Sequence, residues 1–187
     1  IFLIGLISFF AMYSTDGGKF DYHTRSHILR FGIFFLMFLI ISFFQIRFWY
    51  QTSTLLYLSF FILLLGVKYF GLTSSGSQRW LNFYFMNLQP SELMKIGLIL
   101  FLAKYYHRIS TQDVNKLKFL FLPVVALVAP VLLVVAQPDL GTSILIALGG
   151  ITVSWLAGVR VKFFAYASIL FISLTPIAIA FLKPYQK

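Results

Sequence analysis

The sequence predicts an all-α fold: a polytopic bundle of transmembrane helices with seven spans present. Three observations carry this. Hydrophobic residues make up 60% of the 187 and charged residues only 11%, where a soluble domain averages roughly half and a quarter. The apolar residues arrive in long blocks rather than in alternation. Such blocks exceed ordinary core strands and are long enough to cross a bilayer. Phe, Tyr and Trp gather near the block ends, as interfacial anchors do. In lipid every backbone N–H and C=O must be satisfied internally, so only helices or closed barrels span. Barrel strands would read as short alternating segments, and these blocks do not.

The first block, Ile1 to Ser14, begins inside an apolar run and reads as a truncated span. A cleaved signal peptide is a poor reading, because further spans follow at once. The second block runs from Ile28 to Phe44 and the third from Leu55 to Leu72. The fourth, Pro90 to Ala103, is short for a span. Its start is expected to lie partly below the membrane surface or to follow a dipping segment. The fifth, sixth and seventh run from Phe119 to Ala136, Leu140 to Ala157 and Phe163 to Leu182. Residues 1–187 are expected to form a single transmembrane domain, a fragment of a longer protein.

If all seven blocks cross, counting sorts the connections onto two faces. Segments 15–27, 73–89, 137–139 and 183–187 share one face; 45–54, 104–118 and 158–162 share the other. Asp16, Asp21, Glu92 and Asp139 fall on the first face and Asp113 on the second. With Lys95 placed inside a span, the remaining Lys and Arg divide evenly, so the positive-inside rule does not decide. The cluster Lys104, Arg108, Lys116 and Lys118 leans the second face toward the cytoplasm. The formal charge of +10 does not make nucleic acid a partner, since the basic residues are scattered singly and form no stripe. Without cysteine, disulfides and thiolate metal sites are excluded.

Two segments echo each other. Gln89-Pro90-Ser91-Glu92 opens the fourth block and Gln137-Pro138-Asp139 opens the sixth. In each, Pro is expected near the first helical position, where its missing N–H costs nothing. An acidic side chain then falls in the first turn, where the helix dipole favours it. Either motif alone is an ordinary helix start. Glu92 and Lys95, however, are three apart on one helix face and can pair. Ionisable residues at that depth are expensive and functional by default, although a structural ion pair is the competing reading.

The third feature is the loop from Ser74 through Ser75, Gly76, Ser77, Gln78, Arg79 and Trp80 to Leu81. Arg79 offers a planar fork suited to phosphate, and Trp80 an amphipathic ring suited to the interface. An Arg–Trp membrane anchor explains the same residues without a ligand. His23, His27 and His107 show no ligand spacing and read as loop or interface residues. Pro123, Pro130 and Pro176 read as kinks within spans, and Gly141, Gly149, Gly150 and Gly158 as sites of close helix packing.

Gly76-Ser77-Gln78-Arg79-Trp80-Leu81, then Gln89-Pro90-Ser91-Glu92-Leu93-Met94-Lys95, then Ala136-Gln137-Pro138-Asp139-Leu140-Gly141-Thr142-Ser143 resemble the SEDS family of bacterial cell-wall proteins. The three motifs occur in the family's order and approximate spacing. The pairing of Gln-Arg-Trp-Leu with Pro-Ser-Glu is most similar to the elongation branch, more than to the division branch. The resemblance covers the whole chain, which looks like the first seven of about ten family spans.

The resemblance implies a peptidoglycan glycosyltransferase of the bacterial cytoplasmic (inner) membrane, serving cell-wall elongation and shape. Its substrate would be lipid II, a disaccharide-peptide on an undecaprenyl pyrophosphate carrier, polymerised on the outer side. Its partners would be a class B penicillin-binding protein and membrane lipid. The motif-bearing face would then point outward. Such chemistry asks for a carboxylate to accept the proton of the attacking hydroxyl, for cations or a metal to stabilise the departing pyrophosphate, and for an apolar groove for the polyprenyl tail. Arg79 and Lys95 are the candidate cations. Glu92 and Asp139 are candidates to orient Lys95 or to hold a divalent ion such as Mg or Mn. Gln78 and Trp80 are expected to support or pack against the substrate.

The family's catalytic Asp lies in an outer loop after the seventh span, where this chain stops at Lys187. As given, the chain is expected to bind or support but not to catalyse. Two other readings compete: a flippase or transporter of lipid-linked precursor, in which broken helices and an intramembrane Glu–Lys pair suit alternating access, and a non-catalytic scaffold for a penicillin-binding protein.

Overall fold

The computed structural model describes residues 2–74, 77–83 and 86–180. Among them are seven helices: α1 (Phe2–Thr15), α2 (Tyr22–Ser42), α3 (Ile46–Phe70), α4 (Pro90–His107), α5 (Leu117–Ala136), α6 (Leu140–Leu156) and α7 (Val161–Ala180). Each apolar block has become a helix, and the fold is all-α as the blocks predict. Tyr22–Ser42, Ile46–Val67 and Leu117–Ala136 are long and apolar enough to cross a bilayer; Phe2–Thr15 and Leu140–Leu156 are apolar but shorter. The chain is a multi-pass membrane protein. It divides into two compact units, Ile1–Trp49 and Tyr50–Lys187.

In the first unit, α2 starts at Tyr22 rather than at Ile28. Asp21 caps it by accepting from the Tyr22 N–H at 2.8 Å. Asp16 accepts from both the N–H (2.7 Å) and the hydroxyl (2.6 Å) of buried Thr24, which ties the turn to the helix. His23 and His27, expected in a loop or at the interface, lie in the first turns of α2, and His27 shares a 2.7 Å hydrogen bond with Ser8 of α1.

The helix α3 starts at Ile46, so the connection expected over 45–54 shrinks to residues 43–45. Hydropathy marks where a helix meets lipid, not where its hydrogen bonds begin. The polar run Gln51-Thr52-Ser53-Thr54 is accommodated because buried Ser53 returns its hydroxyl to the Tyr50 carbonyl at 3.0 Å.

The core of the second unit is built by α3, α4, α5 and α6. Tyr57 and Leu64 meet Met94, Leu98 and Leu102 of α4, with Leu120, Ala126 and Val134 of α5 and Ile146 of α6. Gly97 and Gly150 allow the close approach. A Cβ at Gly97 would lie 2.7 Å from the Phe60 ring of α3, and one at Gly150 would lie 2.5 Å from Leu127 of α5. Gly141 and Gly149 have no such crowding, and Gly158 instead takes φ +93° in the turn after α6. Of the four glycines expected to serve packing, only Gly150 needs its missing side chain.

The two prolines of α5 are accommodated by tyrosines. A proline removes the donor for the carbonyl four residues earlier, so Pro130 frees Ala126 O and Pro123 frees Phe119 O. The Tyr57 hydroxyl of α3 donates to Ala126 O at 2.9 Å, and the Tyr105 hydroxyl of α4 donates to Phe119 O at 2.8 Å. In a medium without water, an orphaned carbonyl is costly. These bonds restore the ladder and cross-link the helices together.

The segment 73–89 is not an irregular loop. It forms a three-stranded antiparallel sheet, β1 (Leu72–Ser74), β2 (Ser77–Phe83) and β3 (Met86–Leu88), in the order β1-β2-β3. Leu72 pairs with Trp80 across one ladder, and Leu81 with Leu88 across the other. Ser75 and Gly76 of the expected glycine-serine loop lie outside the described residues. Along β2 the side chains alternate, with Arg79 and Leu81 on one side and Trp80 on the other. Leu81 is buried and Trp80 is exposed, so the Arg79 side of the strand faces α4, on which β2 packs.

Candidate functional site

Three segments that are separate in sequence converge where α4 and α6 begin. Asp139 is the N-cap of α6, and its Oδ1 accepts the Thr142 N–H at 3.2 Å. Its Oδ2 accepts the Thr142 hydroxyl at 2.9 Å and the Gln89 side-chain amide at 3.1 Å. Gln89 is the N-cap residue of α4 but makes no side-chain cap bond of its own. Its amide spans to the neighbouring helix instead. Arg79, from β2, places Nε 3.8 Å from Asp139 Oδ2 and donates from Nη2 to the Pro138 carbonyl. The Asp139 side chain is 10% exposed. A carboxylate so enclosed needs charge and hydrogen-bond partners, and here one cation, one amide, one hydroxyl and one backbone N–H provide them. The α6 dipole adds to this.

The expected Pro position is corrected at this motif. Pro90 does open α4, but Pro138 precedes the Asp139 cap, so the carboxylate sits at the helix mouth rather than inside the first turn. The partner of Lys95 is likewise narrowed. Lys95 Nζ lies 2.8 Å from Glu92 Oε2, while Asp139 is engaged with Arg79, Gln89 and Thr142. The Lys95 and Glu92 side chains are 26% and 55% exposed, so this pair sits at a surface and holds the shape of the first turn only weakly.

Arg79 remains 35% exposed, and its buried Nε has no hydrogen-bond partner among the described residues. The guanidinium is thus anchored at one edge by Asp139 and Pro138 while part of its fork reaches the surface. Trp80, next in the strand, is exposed on the opposite side. The Gln78 side chain falls outside the described residues; its backbone pairs with Thr73. Glu92 and Asp139 are the carboxylates at these two helix starts, and both are engaged in the structure. Each already faces a cation, and among the described residues no three His, Asp or Glu side chains converge as a ligand set.

Sequence reasoning did not single out Gln89 and Thr142, although both stand in the quoted motifs. The signal for Thr142 was there: an N-cap Asp followed three residues later by a hydroxyl donor. Nothing local marks Gln89, whose partner is fifty residues away.

The family model described as Cell cycle protein, that of FtsW, RodA and SpoVE, matches residues 1–187. The chain belongs to this FtsW/RodA/SpoVE family. It is 42% identical over 135 residues to the peptidoglycan glycosyltransferase MrdB of Escherichia coli K12, covering 71% of this chain and 35% of that protein. A chain from a structure on the coordination of polymerization and crosslinking by a peptidoglycan synthase complex is 28% identical, with a TM-score of 0.68 over 84% of this chain and 46% of that one. A point variant of the Thermus thermophilus Rod shape determining protein RodA is 25% identical, with a TM-score of 0.66 over 83% of this chain and 49% of that one. This FtsW/RodA/SpoVE chain therefore spans 35% to 49% of the length of these relatives.

Proposed function

We propose that the intact protein is a peptidoglycan glycosyltransferase that polymerises lipid II at the outer face of the bacterial cytoplasmic membrane. Family membership and the names of its relatives support the activity, and the Rod shape determining neighbour supports a role in elongation and shape. The observation that carries the reading is the convergence of Arg79, Gln89, Asp139 and Thr142 from three separate segments at one end of the helices.

In the reaction, a hydroxyl oxygen of the acceptor sugar bonds to the anomeric carbon of the donor. The bond from that carbon to the pyrophosphate oxygen breaks, undecaprenyl pyrophosphate leaves, and the hydroxyl proton passes to a carboxylate. Arg79 supplies a preorganised cation where negative charge develops on the leaving group. Asp139 is a positioning residue: its oxygens already accept three hydrogen bonds, so it holds Arg79 rather than taking the proton. Lys95, paired with Glu92 near the start of α4, offers a second cation. The proton-accepting carboxylate is assigned to the outer-loop Asp that the family resemblance places after Lys187. A class B penicillin-binding protein would crosslink the product; the relative from a synthase complex supports such a partner.

The test is polymerisation of purified lipid II by the full-length protein in detergent, where no second membrane face exists. Glycan chains that disappear with Arg79→Ala are the expected result. Transbilayer movement of labelled lipid II without any glycan would replace this reading with the flippase. Stimulation of a penicillin-binding protein without glycan would replace it with the scaffold.

A further inference from the structure

The opposite end of α4 carries charge that no carboxylate among the described residues neutralises. Lys104 lies in the last turn of α4 and Arg108 is its C-cap. They are four residues apart, so they share a helix face, where like charges repel. Both gather on the ring of Tyr50. Lys104 Nζ is 5.6 Å and Arg108 Cζ 5.7 Å from its centroid, and Arg108 Nε donates to the Tyr50 hydroxyl at 3.0 Å. The remaining contacts of Lys104 are neutral as well: the Gln51 carbonyl at 3.1 Å and the Thr54 hydroxyl at 3.0 Å. Among the described residues neither cation pairs with a carboxylate. Asp113, the acidic residue of this end, is engaged with Lys116 at 2.6 Å.

The negative end of the α4 dipole favours a cation there, and an aromatic face adds to it. Neither cancels the repulsion between two full charges. An anion bridging them does. Asn115 donates to Gly158 O at 3.2 Å and accepts from the Arg160 N–H at 2.8 Å, which clips the α4–α5 connection to the α6–α7 turn. Lys118, Arg160 and Lys162 are exposed on the same end.

The site also has a depth. Tyr50 stands near the start of α3, whose stretch Ile46–Val67 is long and apolar enough to cross a bilayer, and the apolar run Ile96–Ala103 of α4 leads directly into Lys104, so the pair lies at the end of a membrane-crossing stretch. That is the level of lipid phosphates, and basic residues there are drawn to acidic headgroups. We propose that Lys104 and Arg108, gathered around Tyr50, bind the phosphate headgroup of an acidic phospholipid in the leaflet at this end of the helices. The site stands apart from the glycosyltransferase chemistry and does not depend on it.

The test places the full-length protein in nanodiscs of phosphatidylcholine doped with phosphatidylglycerol, and counts retained phosphatidylglycerol by native mass spectrometry across a titration. The double variant Lys104→Gln/Arg108→Gln is expected to bind about ten-fold more weakly or worse, because each side chain donates a charge-assisted hydrogen bond to the phosphate that glutamine cannot replace. Lys118→Gln/Arg160→Gln removes the same formal charge from the same end and is expected to keep the affinity. Tyr50→Phe keeps the ring and loses only the Arg108 anchor, so a smaller loss is expected from a protein that keeps its fold. Equal losses in both double variants would mean diffuse surface charge and no site. Wild-type binding by Lys104→Gln/Arg108→Gln or by Tyr50→Phe would also sink the proposal. Displacement of phosphatidylglycerol by millimolar inorganic phosphate would mean a free-anion site instead of a lipid one.

Discussion

Where α4 and α6 begin, a nearly enclosed carboxylate is surrounded: Arg79 at 3.8 Å, Gln89 at 3.1 Å and the Thr142 hydroxyl at 2.9 Å all turn toward Asp139. Where α4 finishes, Lys104 and Arg108 turn toward a tyrosine ring, a carbonyl and hydroxyls. The same helix therefore has one end where charges are paired and one where, among the described residues, two cations meet only neutral partners. Three hydrogen bonds and an ion pair fix the Asp139 carboxylate in place, and removing a partner leaves an uncompensated charge. Rigidity is what a positioned cation needs to stabilise a leaving group without reorganising. A half-buried and an exposed cation holding neutral partners are suited to reversible contact with a charged surface.

Breaking the balanced end should have the largest effect. Asp139→Ala removes the partner of Arg79, the cap of α6 and the acceptor of Gln89 in one step. Glycan synthesis by the full-length protein should fall by about 100-fold or more, as for other losses of preorganised charge stabilisation, while membrane insertion is retained. Activity within a few-fold of wild type would remove Asp139 from the site.

The middle of the unit separates packing from charge. Tyr57→Phe leaves Ala126 O without a donor and should cost about 2 kcal/mol in thermal or denaturant unfolding, the usual range for an orphaned buried acceptor. In a Pro130→Ala background the restored N–H of residue 130 can serve that carbonyl, so the same substitution should cost much less. Equal costs in both backgrounds would show that the tyrosine is not replacing the donor proline removes.

Arg79→Lys then sharpens the balanced end. It keeps the charge and discards the fork, which needs Nε beside Asp139 and Nη2 on Pro138 O at once. Glycan synthesis should drop about ten-fold, less than for Asp139→Ala. Unchanged synthesis would mean that charge alone suffices.

The smallest effect belongs to the basic end. The Lys116 side chain, and then Ser110, hold the Asp113 carboxyl below its usual value of 3.8. Because the folded state depresses this pKa, the stabilisation is present above the unfolded value and is lost as pH falls through the depressed one. The protection of the 110–116 amides from exchange, corrected for the intrinsic rate at each pH, should fall as pH drops below 3.8, with little change between pH 5 and 7. Exchange that tracks the intrinsic rate throughout would mean the Asp113–Lys116 pair does not hold the turn.

Helix identity was legible in the sequence because the long apolar blocks mark the membrane spans directly. Helix starts were less legible. Tyr22 and Ile46 precede polar residues that hydropathy reads as loop, yet Asp21 and the Ser53 hydroxyl keep those turns helical. The sheet was missed because two of its three strands are three residues long and none shows a clear alternation of apolar and polar side chains. At the site, Arg79, Glu92, Lys95 and Asp139 stood out as charges beside apolar blocks. Gln89 did not, since an amide next to a proline carries no local signal.

By itself the sequence determined that this chain lives in a membrane as a set of helices, and which ionisable residues stand at their mouths. Composition and block length decide both, because bilayer thickness and the cost of bare backbone groups act on every residue alike. Partner choice was decided only by the tertiary structure. Asp139 holds Arg79 rather than Lys95, Gln89 leaves its own helix to reach α6, and two tyrosines serve the carbonyls that two prolines free. Hydrogen bonds and ion pairs act over a few ångströms, and the distances that select among candidate partners exist only once α3 to α6 have packed.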